Sequence, residues 1–420
     1  MWERLLDASL RRLIRVGRLD VTLPDGREVS YDSGLPLVPR PGEAPRPVHI
    51  RLMDPAVIRD IVRAPQLGFA EAYMDGRALI EGDDLAGVLS LFAANIARGR
   101  VGMFHHVHAL GMARKRLVQR NPRAASRRNV KAHYDLSADL YALFLDADRQ
   151  YSCAYFDGPG RTLEEAQEAK KALIARKLLL EPGMRVLDIG CGWGGMALTL
   201  ARDHGVHVTG ITLSDEQHAL ARKRVAEAGL ADRIDIRLQD YRDVAESFDR
   251  VVSVGMFEHV GQPNYGTYFA KVRDLMAPDG VALIHTIGRT EPPGITSPFI
   301  QKYVFPGGYI PALSEIAVPV ERARLQLLDL EVWRMHYAET CRRWLLRFEA
   351  RLDEARARWG ERFARMWRFY LCGSEMAFRH TPQAVFQLQL GRHLGAAPIT
   401  RGYLQGGVPV TEADIAVRPD

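Results

Sequence analysis

The ten residues Val186-Leu187-Asp188-Ile189-Gly190-Cys191-Gly192-Trp193-Gly194-Gly195 constrain this chain more than any other stretch. The apolar run from Arg185 to Ile189 predicts a buried strand, and a helix is predicted from about Met196. Between them, glycines let the backbone approach a ligand where a Cβ would clash. The first turn of the helix adds N–H groups that have no partner within the helix. Strand, glycine turn and helix in that order make a seat for a nucleotide-type cofactor.

The glycine spacing narrows the cofactor. Dinucleotide folds carry G-x-G-x-x-G. Here the order is Asp188-x-Gly190-x-Gly192-x-Gly194, with an acid two residues before the first glycine. This form resembles motif I of the S-adenosylmethionine (SAM) methyltransferases. The resemblance implies SAM on Asp188, Gly190, Gly192 and Gly194, with the glycines near its methionine part.

At 420 residues the chain has room for two domains, or for one with large insertions. Its hydrophobic fraction of 47% is ample for globular cores. No apolar run is long enough for a membrane-spanning helix. Met1 to Gly17 mixes charge and leucine as an amphipathic helix does, unlike a secretory leader. Cys153, Cys191, Cys341 and Cys372 are widely spaced and match no metal pattern, so no metal site is expected. They read as free thiols of a reducing, cytoplasmic compartment.

The net charge of +6 is modest but unevenly spread. No acidic residue lies between Asp84 and Asp135, whereas Arg98, Arg100, Arg114, Lys115, Arg116, Arg120, Arg123, Arg127, Arg128 and Lys131 do. Such a window suits a polyanion, either nucleic acid or an anionic membrane surface, or it is a solvated linker. A helix with a basic face within Val101 to Val118 would suit the membrane. No Asn/Asp-Pro-Pro-Tyr type loop for a nucleotide target is present, which argues against nucleic acid.

Before this window the pattern is a small α+β unit. It comprises a helix over Trp2 to Val16, a hairpin around Pro24-Asp25-Gly26-Arg27 and a strand at Val48 to Leu52. A helix follows, opened by Asp54 at the cap and Pro55 at its first position. After the window, strands are predicted at 184–189, 206–212, 234–238, 248–254 and 281–287, and a last one near 385–390. Helices fall at 137–145 and 163–180. Ser214 caps a further helix, with Gln217 in the capping-box position, and Ala277-Pro278-Asp279-Gly280 reads as a turn. The alternation predicts an α/β fold with a mostly parallel sheet covered on both faces. Its ligands belong at the carboxyl ends of the strands. There, Thr212, Leu213 and Gln217 would meet the ribose and adenine region, and Gln239 and Asp240 the adenine edge. After His285 the alternation stops. Glu291-Pro292-Pro293-Gly294 and Phe305-Pro306-Gly307-Gly308 mark a loop-rich insertion, followed by helices at 340–359 and 362–378.

Seven further motifs occur in order: Tyr134-Asp135-Leu136-Ser137, Gln150 to Phe156, Gly210 to Ser214, Phe257-Glu258-His259-Val260-Gly261, His285-Thr286-Ile287-Gly288, Phe305 to Gly308, and His336 to Thr340. Together they resemble the cyclopropane-fatty-acyl-phospholipid synthases and the related mycolic acid cyclopropane synthases, over roughly residues 129–395. The N-terminal unit resembles that of the bacterial phospholipid enzymes.

The resemblance implies a Rossmann-like SAM methyltransferase domain with a seven-stranded, mostly parallel sheet, beside a small α+β N-terminal domain. Together with the acid-free window and the Gly- and Pro-rich end of the chain, it divides the chain into a lipid- or membrane-associated domain at 1–98, a basic linker at 99–128, a catalytic domain at 129–395 and a weakly ordered tail at 396–420. It implies methyl transfer from SAM to a cis double bond of an unsaturated phospholipid acyl chain. Proton loss from the added methyl then closes a cyclopropane ring. The implied base is a bicarbonate ion held by Cys153, Glu258, His285, the backbone of Ile287, and Tyr337. Tyr151 and Ser152 join the implied SAM residues. The same cation, losing a different proton, would give a methyl- or methylene-branched chain instead. The implied setting is a homodimer, cytoplasmic and bound peripherally to the inner, anionic face of a membrane, without nucleic acid. Ser374 stands where the family usually carries cysteine, with Cys372 two residues earlier; no thiol nucleophile is required.

Overall fold

The computed structural model describes residues 1–99, 119 and 138–407. Apart from Gly99 and Gln119, the basic linker expected at 99–128 lies outside them, as does the helix expected within 101–118. The chain forms two compact bodies that do not follow chain order. One gathers the described part of Met1–Lys115 with Ile295–Pro306 and Tyr337–Gln383. The other gathers the described parts of Arg116–Gly294 and Ala384–Asp420 with Gly307–His336.

The first body holds β1 (Arg18–Thr22), β2 (Glu28–Asp32), β3 (Val48–Leu52) and β4 (Ala78–Ile80) in the order β2-β1-β3-β4. The predicted hairpin pairs Val21 with Val29, and β3 runs parallel to β1. The Asp54 carboxylate accepts from the Val57 N–H at 3.0 Å, capping the helix Pro55–Arg63 as its sequence requires. The N-terminal helix stops at Leu13, short of the Val16 expected. The long helix Glu361–His380 belongs to this body. Its buried Glu375 takes a bidentate pair from Arg40 at 2.9 and 2.5 Å, and Ser90 meets His380 at 2.7 Å. Contacts across nearly the whole sequence therefore complete the N-terminal unit, which its own stretch of chain does not do alone.

The second body is built on a seven-stranded sheet in the order β10-β11-β9-β8-β5-β6-β7. Its strands are β5 (Arg185–Ile189), β6 (His207–Thr212), β7 (Ile234–Leu238), β8 (Phe248–Val254), β9 (Met276–Arg289), β10 (Gln326–Trp333) and β11 (Gln383–Gly391). The pairs β5–β6, β5–β8, β6–β7 and β8–β9 are parallel, and β10 runs antiparallel to β11. Apolar side chains of the sheet are fully buried, among them Leu187, Val251, Val252, Leu283 and Phe386, as expected where both faces are covered. The order reverses direction at β5, so the crevice at its carboxyl end is a topological switch point. The glycine turn lies there.

Three local expectations are corrected. Ala277-Pro278-Asp279-Gly280 is not a free turn. It lies within β9, where the register with β8 shifts between Phe248 and Arg250. The insertion after His285 is not all loop, for it contains helices Pro298–Tyr303 and Leu313–Arg322 and the edge strand β10. Ser214 does cap the helix Asp215–Glu227, accepting from the Gln217 N–H at 3.2 Å. The Gln217 side chain does not close a capping box, however; its Oε1 accepts from the Thr212 hydroxyl at 2.8 Å. A full capping box does form at Thr162 and Glu165, starting the helix Leu163–Leu178.

Candidate active site

A cavity opens at the switch point. It is lined by Tyr151, Ser152, Asp188, Gly190, Gly192, Thr212, Leu213, Gln217, Gln239 and Asp240. These come from the 149–152 loop, β5 and the glycine turn after it, the ends of β6 and β7, and the first turn of the helix Asp215–Glu227. Gly190 adopts φ 84°, and a Cβ there would lie 2.8 Å from the Met256 side chain. Gly192 adopts φ 54° and has no protein atom within 4 Å of where a Cβ would stand. A side chain at 192 would therefore project into the cavity. Gly194 is the one glycine of the motif that does not line it. It caps the helix Gly195–His204 at φ 82°, with Ala221 Cβ 3.2 Å from the site of an added Cβ. Its glycine serves close helix packing.

Asp188 is a buried acid in the wall of this cavity. It is 2% exposed and its Oδ2 has no hydrogen-bond partner. Burial pushes its carboxyl up to about 7. A buried, unpartnered carboxylate is costly, and a cationic ligand group would relieve it. SAM carries such groups, so this residue and the open glycine cradle fit SAM. Asp240 is engaged locally, where its carboxylate accepts from the Arg242 N–H at 3.0 Å and pairs with that guanidinium. The cavity also takes in Arg149, Gln150, Trp193, Tyr241, Met256 and His259, which sequence reasoning did not assign. Burial lowers the His259 imidazole to about 4, so it is neutral near pH 7.

Cys153, Glu258, His285 and Ile287 do not line this cavity. Cys153 follows Ser152 and is fully buried. Glu258 sits in the short helical turn Phe257–His259 after β8. Its Oε1 accepts the Ile287 N–H at 2.6 Å, while its buried Oε2 has no partner. Burial raises this carboxyl to about 7. His285 on β9 is registered beside Val254 of β8 and is 2% exposed. Burial holds its imidazole well below its ordinary value, with help from Lys170 and Lys177. Ile287 thus acts through its backbone on Glu258, two residues along β9 from His285. Lys170 is fully buried, donates to Gln150 Oε1 at 2.7 Å and to Ser152 Oγ at 2.8 Å, and interacts electrostatically with both Cys153 and His285. Sequence reasoning missed this lysine. Tyr337 belongs to the other body, where its ring stacks on Phe378 at 4.6 Å and meets Trp344 edge-on.

The buried polar groups here are thus the Glu258 carboxyl with its open Oε2, the His285 imidazole and the Lys170 ammonium. Among the described residues no group of three or more His, Cys, Asp or Glu side chains could hold a metal. All four cysteines are buried and none is in a disulfide. No helix among the described residues is long and apolar enough to cross a membrane.

Fold, glycine cradle and strand-end cavity define the class: a Rossmann-like protein of the SAM methyltransferase type. Comparison with known proteins narrows it. The family described as mycolic acid cyclopropane synthetase matches residues 121–388, and the chain belongs to that family. It is 40% identical to the cyclopropane-fatty-acyl-phospholipid synthase of Escherichia coli (strain K12) over 349 residues, covering 82% of this chain and 88% of that one. It is 38% identical to the tuberculostearic acid methyltransferase of Mycobacterium tuberculosis, covering 80% and 81%. Among solved structures it resembles the mycolic acid cyclopropane synthase CmaA1 complexed with SAH and CTAB. That match has a TM-score of 0.60 and 34% identity, and covers 63% of this chain and 98% of that one.

Proposed function

We propose that this protein is a SAM-dependent C-methyltransferase that forms cyclopropane rings on the unsaturated acyl chains of phospholipids, with bicarbonate as base. The observation that carries this reading is the match to the E. coli synthase, which spans 82% of this chain and so extends beyond the catalytic body.

When bound, SAM supplies the electrophilic methyl group and bicarbonate the base. The protein's own residues supply position and charge. An alkene is a poor nucleophile, so reacting atoms must be held in contact and in line. Gly190 and Gly192 admit SAM closely, and Asp188 offers its open oxygen to a cationic group of the cofactor. Glu258 and His285 are proposed to offer a proton acceptor and a donor to the anion, with Cys153 as a further member of the set; the Ile287 N–H serves it by holding the Glu258 carboxylate. Lys170 keeps positive charge beside this set. The rings of Tyr155, Trp333 and His336 pack at 4.9 to 5.6 Å from one another, and aromatic faces of this kind favour cationic character nearby.

Mass spectrometry of lipids from cells producing this chain tests the reading. The expected result is addition of one CH2 to unsaturated phospholipid chains, with fragmentation showing a ring. No added mass would overturn it. The similarity to the tuberculostearic acid methyltransferase favours a second reading, in which the same transfer gives a branched chain. Fragmentation separates the two.

The reading includes peripheral attachment to the inner face of the membrane, because the acyl double bond lies within the bilayer. The first body is proposed to bring the enzyme to lipid, within a homodimer. Binding to vesicles is expected to rise with anionic lipid content and fall with salt. Each basic residue near an anionic surface contributes on the order of 1 kcal/mol, screened over roughly 8–10 Å. Replacing Arg114, Lys115 and Arg116 with glutamine should weaken binding about tenfold or more. Equal sedimentation with neutral and anionic vesicles at low and high salt would count against the charge mechanism.

A further inference from the structure

Strand β11 spends two buried amides on one face of the sheet. Gln387 and Gln389 are each 1% exposed and, two residues apart, point the same way. Buried amides are costly unless their hydrogen bonds are made, and these are made in an ordered way. Gln389 Nε2 donates to the Lys177 carbonyl at 2.6 Å and its Oε1 accepts from the Tyr403 hydroxyl at 3.0 Å. That fixes the end of the helix Leu163–Leu178. Gln387 Oε1 accepts from the Lys177 ammonium at 2.7 Å, and Gln387 Nε2 meets His285 Nδ1 at 3.1 Å. On β10, Glu331 stands in register with Gln387 and pairs with Lys177. Carboxylate, ammonium, amide and imidazole thus follow one another across β10, β11 and β9.

We propose that Lys177 and Gln387 are positioning residues that fix the tautomer of His285, so that its Nε2–H is the donor offered to the anion. An ammonium can only donate, so Gln387 must turn its oxygen to Lys177 and its NH2 to His285. Nδ1 is then an acceptor and the ring proton resides on Nε2. Burial lowers the Lys177 ammonium's pKa, and the pair with Glu331 opposes this, favouring the charged form that maintains the direction of the chain. The buried charges of Lys177 and Lys170 both disfavour a second proton on His285. A neutral imidazole with a fixed Nε2–H gives a defined donor; the opposite tautomer would present a lone pair to an anion. The functional half of this inference rests on the anion-site reading above. The tautomer itself does not.

The test joins ring nitrogen NMR of His285, assigned by difference from His285→Asn, with turnover. The parent is expected to show Nδ1 bare and Nε2 protonated. In Gln387→Glu a carboxylate faces both Lys177 and His285, so the proton should move to Nδ1. Turnover should fall about tenfold to a hundredfold, as for other residues that orient a functional histidine, with SAM affinity unchanged. Lys177→Met should mix the tautomers and lower turnover, and Lys177→Arg, still donor-only, should restore both. That pair keeps the test open if Gln387→Glu does not fold. A parent protonated on Nδ1, or a tautomer indifferent to all three changes, would overturn the inference. So would a changed tautomer with full turnover. Failure of the underlying reading shows separately, as parent turnover that does not depend on bicarbonate in carbonate-depleted buffer.

Discussion

Glu258→Gln is expected to lower turnover by about a hundredfold or more while leaving SAM binding intact. The carboxyl does not line the SAM cavity, so cofactor affinity has no reason to change. Its Oε1 is already committed to the Ile287 N–H, which leaves Oε2 as the atom that can serve an anion. In the amide, the oxygen keeps the Ile287 bond and the NH2 takes the place of Oε2. It can donate to an anion but cannot accept that anion's own O–H, so the acceptor at the proton-removal step is lost. Turnover of the parent should rise with pH through about 7 as this carboxyl ionises, and the variant should lack that limb.

Stability should move the other way. The carboxyl is raised in the folded state, so the native protein holds a proton that the unfolded chain releases. Between the ordinary carboxyl range and about 7 the group therefore costs stability as pH rises, on the order of 3 kcal/mol in all. The variant should be free of that loss. Turnover and its pH profile unchanged from the parent would remove Glu258 from the proposed site.

What the sequence showed and what it hid follow from range and burial. The glycine turn, the Ser214 cap and the Asp54-Pro55 helix start are local, and each formed where its residues require. The edge strand β10 was missed, although Leu-Asp-Leu-Glu-Val-Trp at 328–333 alternates with period two. An edge strand is only partly buried, and the preceding glycines and prolines suggested loop. Gly194 matched the motif, yet its role is packing against Ala221, because a repeated glycine does not say which neighbour is close. Lys170 and Lys177 were invisible as site residues, since lysine is ordinarily exposed. Their spacing of seven on one helix, flanked by Leu173, Ile174 and Leu178, was the available signal. The gathering of the helix Glu361–His380 with the first hundred residues depends on pairs such as Arg40 with Glu375, which no local pattern contains.

Gly192→Asn is expected to abolish measurable SAM binding while leaving a folded protein. The position has φ 54°, in the left-handed region, where asparagine is among the better tolerated side chains. No protein atom lies within 4 Å of an added Cβ, so no neighbour must give way. Backbone strain is therefore small, on the order of 1 kcal/mol, and melting should shift by only a few degrees. The side chain must go somewhere, and the space open to it is the cavity shared with Asp188, Thr212 and Gln217. There it occupies volume that the cofactor needs and meets it at the closest approach of backbone to ligand. Gly194→Asn is the matched control. Its added Cβ meets Ala221 at 3.2 Å and does not face the cavity, so its first effect should fall on the packing of helices Gly195–His204 and Asp215–Glu227. Calorimetry should thus show lost SAM binding with near-parent melting at 192, and lowered melting at 194. Undiminished SAM affinity in a folded Gly192→Asn protein would place the cofactor elsewhere and remove the glycine cradle from the site.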